Sequence, residues 1–296
     1  MAIYSIKDLE KLCGIKAHTI RIWEQRYGLI VPKRTKTNIR YYQDDDLKHL
    51  LNIVFLNKNG TKISRIAKMT RQEITNQISN NAAIGVENDV QLNALTISMI
   101  EMDELKFHYV ISKNVKEVGF EKTMLEVVYP FLDKLGVLWL TGSVTPAQEN
   151  FMSCLIRQKI LRATDALPIA SGRGVRKFMI FLPEGENQEL SLMFMHFLLK
   201  SRGHQVIYMG LNNSVQDLQD AYNILRPSYL FTMISETYTQ QPVQKYVDQL
   251  SETFPESQVL LSGYQVMSQS INRPDNVRLL GSLGDTISFL EDLKKV

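Results

Sequence analysis

The part of the chain after Gly172 alternates short apolar runs with longer stretches whose apolar residues have helical spacing. The five apolar runs begin at Val175, His204, Pro227, Ser257 and Asn276. Strands that alternate with helices along a chain usually form a parallel sheet with helices on both faces. Five such strands predict a flavodoxin- or Rossmann-like α/β domain, in which a ligand would lie at the carboxyl ends of the strands.

Two short helices joined by a glycine turn are predicted near the amino terminus. The first, in SIKDLEKL, begins after Ser5, a residue type that favours helix N-caps, and ends before Gly14. The second, in KAHTIRIWEQRYG, places Ile20 and Trp23 on one apolar face and stops at Gly28. This pattern indicates a helix-turn-helix, with Trp23 packed in its core.

A strongly basic segment lies in and after the second helix. Pro32 prevents a helix in LIVPKRTKTNIRYY, and the mixture of basic and aromatic residues there predicts a β-ribbon, or wing. Residues 16–40 contain seven basic side chains against Glu24 alone, a net charge of +6, whereas the whole chain carries +3. A basic block on an otherwise mildly acidic chain is the charge distribution expected where nucleic-acid phosphates are bound.

The rest of the chain divides into further segments. An acidic turn at Asp44–Asp46 begins a third helix, and a short fourth helix follows Gly60. Residues 70–87 lose the apolar periodicity, as a linker does, and helical spacing then returns over 88–168 with breaks that give four helices. The predicted domains are an all-α winged helix-turn-helix at 1–72, a linker at 73–87, a four-helix bundle at 88–170 and the α/β domain at 171–296.

The stretch TIRIWEQRYGLIVPKRTKTNIRYYQDDD, from Thr19 to Asp46, resembles the MerR family of transcriptional regulators. Many spaced positions agree together, and Trp23 and the Arg26-Tyr27 pair are similar to the MerR subclass that carries cobalamin-binding modules. The resemblance implies a sequence-specific DNA-binding regulator rather than an enzyme. Its second helix would lie in the major groove.

The resemblance implies DNA contacts from both the second helix and the wing. It supports Thr19, Arg21, Tyr27, Arg34 and Arg40. The wing adds Lys33, Lys36 and Tyr41. An arginine suits a phosphate or a guanine edge, whereas wing lysines add salt-dependent affinity for the backbone. The alternative is a solvated basic hairpin beside an aromatic core.

MerR relatives bind near-palindromic operators as homodimers. We therefore expect an inverted-repeat, double-stranded DNA operator bound by a homodimer or a higher homo-oligomer. RNA polymerase or a protein co-regulator is a further partner that this class allows. The cobalamin-module subclass favours repression through occlusion or distortion of a promoter, although other MerR proteins activate.

Residues 88–296 resemble the helical cap and Rossmann-like module that hold cobalamin in methionine synthase and in light-responsive carotenoid repressors. In the cap motif Trp139 and Glu149 match, but Asn150 stands where the family has a histidine. In the first loop of the sheet domain, Gln188 stands where the family has the cobalt-ligating histidine, and Ser191 replaces a glycine. An amide is a poor substitute for imidazole as a ligand of a transition metal.

Other parts of the cofactor motif persist. Ser235 and Thr237 match the family's Ser loop, and Gly263 keeps the second glycine of a Gly pair. Three interpretations stay open: a ligand-independent oligomerisation or protein-binding domain, a domain that holds cobalamin without histidine ligation or another ligand in the same crevice, and a role of another kind. The second would make the chain a light- or corrinoid-gated regulator. A cobalamin-dependent methyl-transfer enzyme component is the rival class, for which no substrate domain is recognised.

The sequence argues against several other classes. Cys13 and Cys154 are the only cysteines, and two are too few for a disulfide framework. We expect both to be packing residues in a protein of a reducing compartment. The five histidines lack the paired spacing of metal sites, so no metal is expected, and His196 is predicted to be a core residue of a Met- and Phe-rich helix. We recognise neither a signal peptide nor an apolar run of about 20 residues, so we expect a cytoplasmic protein with no membrane partner.

Overall fold

The computed structural model of the chain describes residues 3–34, 38, 40–58, 60–74, 77, 88–140, 144–172, 175–235 and 242–293. The chain divides into two compact units, Met1–Leu155 and Ile156–Val296. The boundary between them falls inside one long helix, Pro146–Asp165. The four segments inferred from the sequence pattern stay a prediction.

In its described residues, the amino-terminal part of the first unit combines helices with a small sheet. Its elements are β1 (Ile3–Tyr4), α1 (Ile6–Cys13), α2 (Ala17–Tyr27), β2 (Lys33–Arg34), β3 (Arg40–Gln43), α3 (Asp44–Lys58) and α4 (Ile63–Ile66). The three strands are antiparallel in the order β1-β3-β2. The short strand β1 was not predicted, because two residues are too few to show an alternating pattern. The description of this domain as all-α is corrected accordingly.

Local sequence signals set the ends of the first two helices. Asp8 N–H donates to Ser5 Oγ at 3.2 Å and Ser5 N–H donates to Asp8 Oδ2 at 2.7 Å, so the two residues form a capping box. Helices α1 and α2 end at Gly14 and Gly28, whose φ angles are +67° and +62°. Glycine reaches this left-handed conformation without the steric cost of a Cβ. The predicted glycine turn between α1 and α2 is therefore present.

The remainder of the first unit is helical where the structure describes it. Its elements are α5 (Asn88–Glu101), α6 (Glu104–Val118), α7 (Phe120–Thr123), a π-helical turn (Met124–Val128), α8 (Tyr129–Leu140) and the start of α9 (Pro146–Asp165). Asp103 caps α6 by accepting the Lys106 N–H at 3.0 Å. The helical spacing over this region is thus borne out by helices, whereas the π-helical turn gave no signal in the sequence.

The second unit contains a five-stranded parallel sheet with helices between its strands. Its elements are β4 (Lys177–Pro183), α10 (Glu189–Ser201), β5 (Gln205–Asn213), α11 (Val215–Leu225), β6 (Tyr229–Met233), α12 (Val243–Thr253), β7 (Gln258–Ser262), α13 (Tyr264–Ser268), β8 (Val277–Leu279) and α14 (Leu283–Leu293). All neighbours are parallel, in the order β5-β4-β6-β7-β8. The predicted parallel sheet is confirmed.

The order of the strands predicts where a ligand crevice would lie in the sheet. Strand β4 pairs with β5 on one side and with β6 on the other, so the chain changes direction across the sheet at this point. In open parallel sheets, ligands bind beyond the carboxyl ends of the strands at such a switch point. The crevice is therefore flanked by the residues that follow Pro183 and Met233.

In the described part of the chain, no helix combines the length and the apolar character that crossing a membrane requires.

Candidate nucleic-acid interface

Helix α2 has one face in the core and one face in solvent. Ile20 is 0% exposed and Trp23 is 5% exposed, so the predicted packing role of Trp23 agrees with its position. The opposite face carries exposed polar and basic side chains with one aliphatic residue among them. These residues are His18, Arg21, Ile22, Gln25 and Arg26.

A buried carboxylate fixes the rotation of α2 against the sheet. The Glu24 side chain is 5% exposed and accepts a hydrogen bond from the hydroxyl of Tyr42, which is fully buried on β3. Arg40 Nε lies 3.7 Å from Glu24 Oε2. Burial, and then the hydrogen bond to Glu24, raises the pKa of Tyr42 well above its ordinary value. Glu24 thus joins the helix to the strand that follows the hairpin loop.

The start of α2 is held by the preceding helix. Ala17 N–H donates to Glu10 Oε2 at 3.1 Å, and this bond lowers the pKa of the Glu10 carboxyl. The first backbone amides of a helix have no partner within the helix, so a carboxylate at this place satisfies one of them. Both ends and the buried face of α2 are therefore fixed by residues of the same domain.

Strands β2 and β3 form the predicted basic hairpin. Lys33 is opposite Tyr41 and Arg34 is opposite Arg40. Arg34 Nη1 donates to Asn38 Oδ1 at 2.8 Å, which supports the left-handed conformation of Asn38 at φ +64°. Lys33 Nζ donates to Gln43 Oε1. Lys36 lies outside the described residues.

The predicted contact residues differ in how much surface they offer. Arg21, Lys33 and Arg34 are exposed, whereas Thr19, Tyr27, Arg40 and Tyr41 are half-buried. The Arg26 guanidinium lies 5.5 Å from the centre of the Tyr27 ring, so Tyr27 helps to position a basic side chain at the end of α2. The assignment of these residues as DNA contacts stays a prediction.

Sequence reasoning did not select His18, Ile22 or Gln25 as site residues. They share the exposed face of α2 with Arg21, and a helical projection centred away from Ile20 and Trp23 would have found them. The search for positive charge did not select them, because none of the three carries a fixed positive charge.

An ion-pair cluster ties the helix-turn-helix to the helices that follow. The Glu101 carboxylate at the end of α5 pairs with Lys48 of α3 and with Lys106 of α6. The Asp103 carboxylate lies 3.7 Å from Lys106 Nζ. The amino-terminal domain therefore has charged contacts with α5 and α6 within the first unit.

Comparisons with known proteins support a helix-turn-helix of MerR type at the amino terminus. The family model described as MerR HTH family regulatory protein matches residues 4–73. These residues form a MerR-family domain. The HTH-type transcriptional repressor CarH of Myxococcus xanthus is 27% identical over 258 residues, which are 85% of this chain and 85% of the repressor. The HTH-type transcriptional repressor CarA of the same organism is 24% identical over 225 residues, 75% of this chain and 73% of the repressor.

A solved structure was also found outside the regulators. A cobalamin-binding protein from Desulfitobacterium hafniense DCB-2 covers 68% of this chain and 98% of that chain at 14% identity, with a TM-score of 0.33. The amino-terminal domain is thus similar to MerR-type domains, and most of the chain is similar to two proteins that are transcriptional repressors.

Beyond the MerR domain, the residues at the crevice of the parallel sheet engage each other. Glu186, after β4, is 1% exposed, and its Oε1 accepts the Ser235 N–H at 2.7 Å. Ser235 follows β6, so the carboxylate bridges the two strand ends at the switch point. Gln188 is exposed at the N-cap of α10, with no hydrogen bond from its side chain to the first turn of the helix.

Gly263 has a structural explanation. Its φ angle is +105°, and a Cβ at this residue would lie 2.4 Å from the carbonyl oxygen of Ile234. Gln265 N–H donates to that same carbonyl at 3.0 Å. The close approach of β6 and α13 therefore requires a glycine whether or not a ligand binds.

The other predicted cofactor positions have less structural detail. Glu149 is half-buried in the first turn of α9, and its N–H donates to Thr145 O at 3.1 Å. The backbone of Trp139 belongs to α8, and its side chain is outside what the structure describes. Thr237 lies outside the described residues. Their roles toward a cofactor stay predictions.

The crevice does not fit a histidine-ligated cobalamin. Gln188, a neutral amide, stands where the resemblance predicts the cobalt ligand, and the acidic residue two positions before it is buried and accepts the Ser235 N–H. Among the described residues, no group of three or more histidine, cysteine or acidic side chains is arranged to hold a metal ion.

Two minor predictions need correction. His196 is half-buried rather than in the core, and its ring stacks on Tyr208 at a centroid distance of 5.2 Å. Burial, with a smaller effect of Lys200, lowers the pKa of His196 to about 4. Cys13 is buried, as expected for a packing residue, but Cys154 is exposed because it lies on the outer side of α9.

Proposed function

We propose that this protein is a sequence-specific DNA-binding repressor that binds an inverted-repeat operator as a homo-oligomer. The observation that supports this most directly is the orientation of α2. Glu24, Ile20 and Trp23 hold the opposite face against the domain, so the exposed face of α2 presents Arg21 and Gln25. A helix fixed in this way can enter a major groove without paying a large cost in ordering.

The exposed basic residues of the helix and of the hairpin would contact different parts of the DNA. Arg21 on α2 is placed to meet a phosphate or a guanine edge, and Lys33 and Arg34 on the hairpin are placed to meet the flanking backbone. Arg40 has a double role, because it is also the ion-pair partner of the buried Glu24. Each phosphate contact would release counterions and make binding depend on salt.

Repression is the sign of regulation that the similar proteins suggest. CarH and CarA are both named as transcriptional repressors, and their similarity extends well beyond the MerR domain. A homodimer on an inverted repeat would block or distort the promoter that it occupies. RNA polymerase and protein co-regulators are the partners that such a complex would meet.

The DNA-binding proposal is tested with Arg21→Ala in the full-length chain. Its operator is first selected from a random duplex library, and the dissociation constant is then measured at several salt concentrations. Loss of one phosphate contact should weaken binding roughly tenfold and reduce the salt slope by about 1. Lys122→Ala, an equal change of charge at an exposed site outside the MerR domain, should leave both quantities unchanged.

Arg40→Ala serves as a second variant with a distinct signature. It should weaken DNA binding and also lower the melting temperature, because it removes the partner of buried Glu24. If both arginine variants bind the operator as tightly as the wild type, with the same salt slope, the proposed interface is wrong.

For the sheet domain we propose a ligand-independent role in oligomerisation or protein binding. The Glu186–Ser235 bond at the switch point and the amide at position 188 support it. The second candidate is a regulator gated by cobalamin without histidine ligation, which the resemblance of the sequence keeps open. A methyl-transfer enzyme is disfavoured because both similar proteins are transcriptional regulators.

An absorption spectrum separates these candidates. Wild type and Gln188→His are incubated in the dark with adenosylcobalamin or methylcobalamin and then desalted. We expect both to be colourless, because Asn150 and Ser191 also differ from the cobalamin motif that the sequence resembles, and Gln188→His restores only one of the three positions. Corrinoid colour in the wild type would establish the cobalamin-gated alternative. Colour in Gln188→His alone would show that only the ligand residue, and not the crevice, has changed.

A further inference from the structure

The exposed face of α2 has an uncharged centre between two arginines. His18, Ile22 and Gln25 are spaced by four and three residues, which places them in one strip along the helix. Arg21 lies beside this strip on one side and Arg26 on the other. The strip therefore has a histidine, an aliphatic side chain and a carboxamide at its centre and fixed positive charges at its rims.

Packing of the domain core does not explain why an aliphatic residue, Ile22, lies on the exposed face of α2. Its exposure is 38%, while the core face of α2 consists of Ile20 and Trp23. A single exposed aliphatic residue is common on protein surfaces and needs no explanation when it stands alone. Here it lies one turn from Gln25, on the only fully solvent-facing side of a helix whose rotation is fixed by Glu24.

The chemistry of these side chains matches one type of base pair. A carboxamide can donate to N7 and accept from N6 of adenine in a bidentate pair, with its NH₂ and its oxygen respectively. An aliphatic side chain gains contact with the methyl group of thymine, which no other base offers in the major groove. Arg26 at one rim is suited to phosphates, which position a helix without selecting a sequence, and Arg21 at the other rim can meet a phosphate or a guanine edge.

We propose that Ile22 and Gln25 are the residues that set the operator sequence, and that they select neighbouring A·T pairs in each half-site. This inference rests on the proposed DNA-binding function. Gln25 pairs with an adenine, and Ile22 packs on the methyl group of a thymine. The two residues are three positions apart, a rise of roughly 4.5 Å along the helix, which lies between one and two base-pair steps of about 3.4 Å.

The test is a selection of binding sites from a random duplex library with full-length protein. Wild type, Ile22→Ala, Gln25→Ala and Gln25→Arg are compared, with Arg26→Ala as the control. The wild type should yield an inverted repeat with adjacent A·T positions in each half. Ile22→Ala should lose the thymine preference at one position and Gln25→Ala the adenine preference at its neighbour, each by roughly tenfold.

Gln25→Arg should change the selected base from adenine to guanine, since arginine pairs with O6 and N7 of guanine. Arg26→Ala should weaken binding to all sequences and leave the motif as it is. All of these side chains are exposed, and melting curves that match the wild type will verify that the variants fold.

The outcomes separate the inference from the function on which it rests. If the wild type enriches no motif at all, the proposed DNA-binding function fails. If it enriches a motif that Ile22→Ala, Gln25→Ala and Gln25→Arg all leave unchanged, the function stands and the assignment of the two specificity residues is overturned.

Discussion

Helix α2 and the crevice of the parallel sheet both carry residues that match a spaced family motif, but the two sets have different surroundings. On α2, the buried contacts of Ile20 and Glu24 leave Arg21 exposed. At the crevice, Glu186 is itself buried and bonded to the backbone of Ser235. One carboxylate oxygen of Glu186 thus holds the fold together, whereas the Arg21 side chain is exposed to solvent.

The same contrast explains why a partial motif persists in the sheet domain. Gly263 is required by the carbonyl of Ile234, and Glu186 is required to join the ends of β4 and β6. Neither requirement depends on a cofactor. Gln188 is exposed and makes no cap bond, so its position was open to change without loss of the fold.

The largest effect on stability is expected for Gly263→Ala. The added Cβ would lie 2.4 Å from Ile234 O, and the backbone has a φ of +105°, so the free energy of unfolding should fall by about 3 kcal/mol or more. Urea titration followed by circular dichroism measures it. Gly284→Ala is the control, since its nearest neighbour, Ser282 Oγ, is at an ordinary 3.5 Å and its φ is not positive. Equal stability of the two variants would mean that Gly263 serves a ligand instead of the fold.

A smaller effect is expected at the Glu24 clamp, by which we mean the contacts of the Glu24 carboxylate on α2 with Tyr42 and Arg40 on β3. Tyr42→Phe removes a hydrogen bond to a buried carboxylate and should lower the free energy of unfolding by about 1–3 kcal/mol. Tyr41→Phe, a half-buried neighbour on β3, should change it by less than about 0.5 kcal/mol. If the two variants are equally stable, the clamp does not hold α2 in place.

The pH dependence of the same clamp has a definite sign. Because the pKa of Tyr42 is raised above 10.0 in the folded state, its contribution to stability is complete below pH 10 and is lost as the pH rises toward the folded-state pKa. Urea midpoints between pH 8 and 11 should therefore fall more steeply for the wild type than for Tyr42→Phe. Parallel curves would contradict a buried, neutral Tyr42.

The smallest effect is expected from His196 in the sheet domain. Its folded-state pKa of about 4 lies below the ordinary 6.5, so its contribution to stability is present above pH 6.5 and is lost as the pH falls toward 4. The slope should be less than about 1.4 kcal/mol per pH unit because the ring is only half-buried. His196→Phe keeps the stacking on Tyr208 and should abolish this loss of stability at low pH in urea titrations. If the variant loses the same stability between pH 6.5 and pH 4, groups other than His196 cause that loss.

Local signals in the sequence predicted much of the architecture. Ser5, Gly14 and Gly28 mark the ends of α1 and α2 because capping and left-handed turns depend on single residues. The alternation of apolar runs after Gly172 predicted the five parallel strands, since buried strands and amphipathic helices have distinct periods. The π-helical turn at Met124–Val128 was not predicted, because its hydrogen-bond register depends on packing against other helices.

The candidate site was predicted only in part. Charge and family resemblance selected Arg21, Lys33 and Arg34, all of which are exposed. They could not show that Arg40 also pairs with Glu24, because those residues are 16 positions apart in the sequence and meet only when the hairpin folds back on α2. Ile22 and Gln25 were overlooked because site residues were selected by positive charge and by family resemblance, although helical spacing places both residues away from Ile20 and Trp23.

Residue identity and spacing were sufficient to predict the amino-terminal helices, the basic hairpin and the parallel sheet, and to show a glutamine at position 188, where the resemblance predicts a histidine. These features depend on residue identity and on spacing within a short segment. Only the packed structure shows that Glu24 contacts Tyr42 and Arg40 and that Glu186 is bonded to Ser235. The physical reason is that burial and hydrogen bonding between distant segments arise only when those segments pack together, and they determine which side chains remain able to bind a partner.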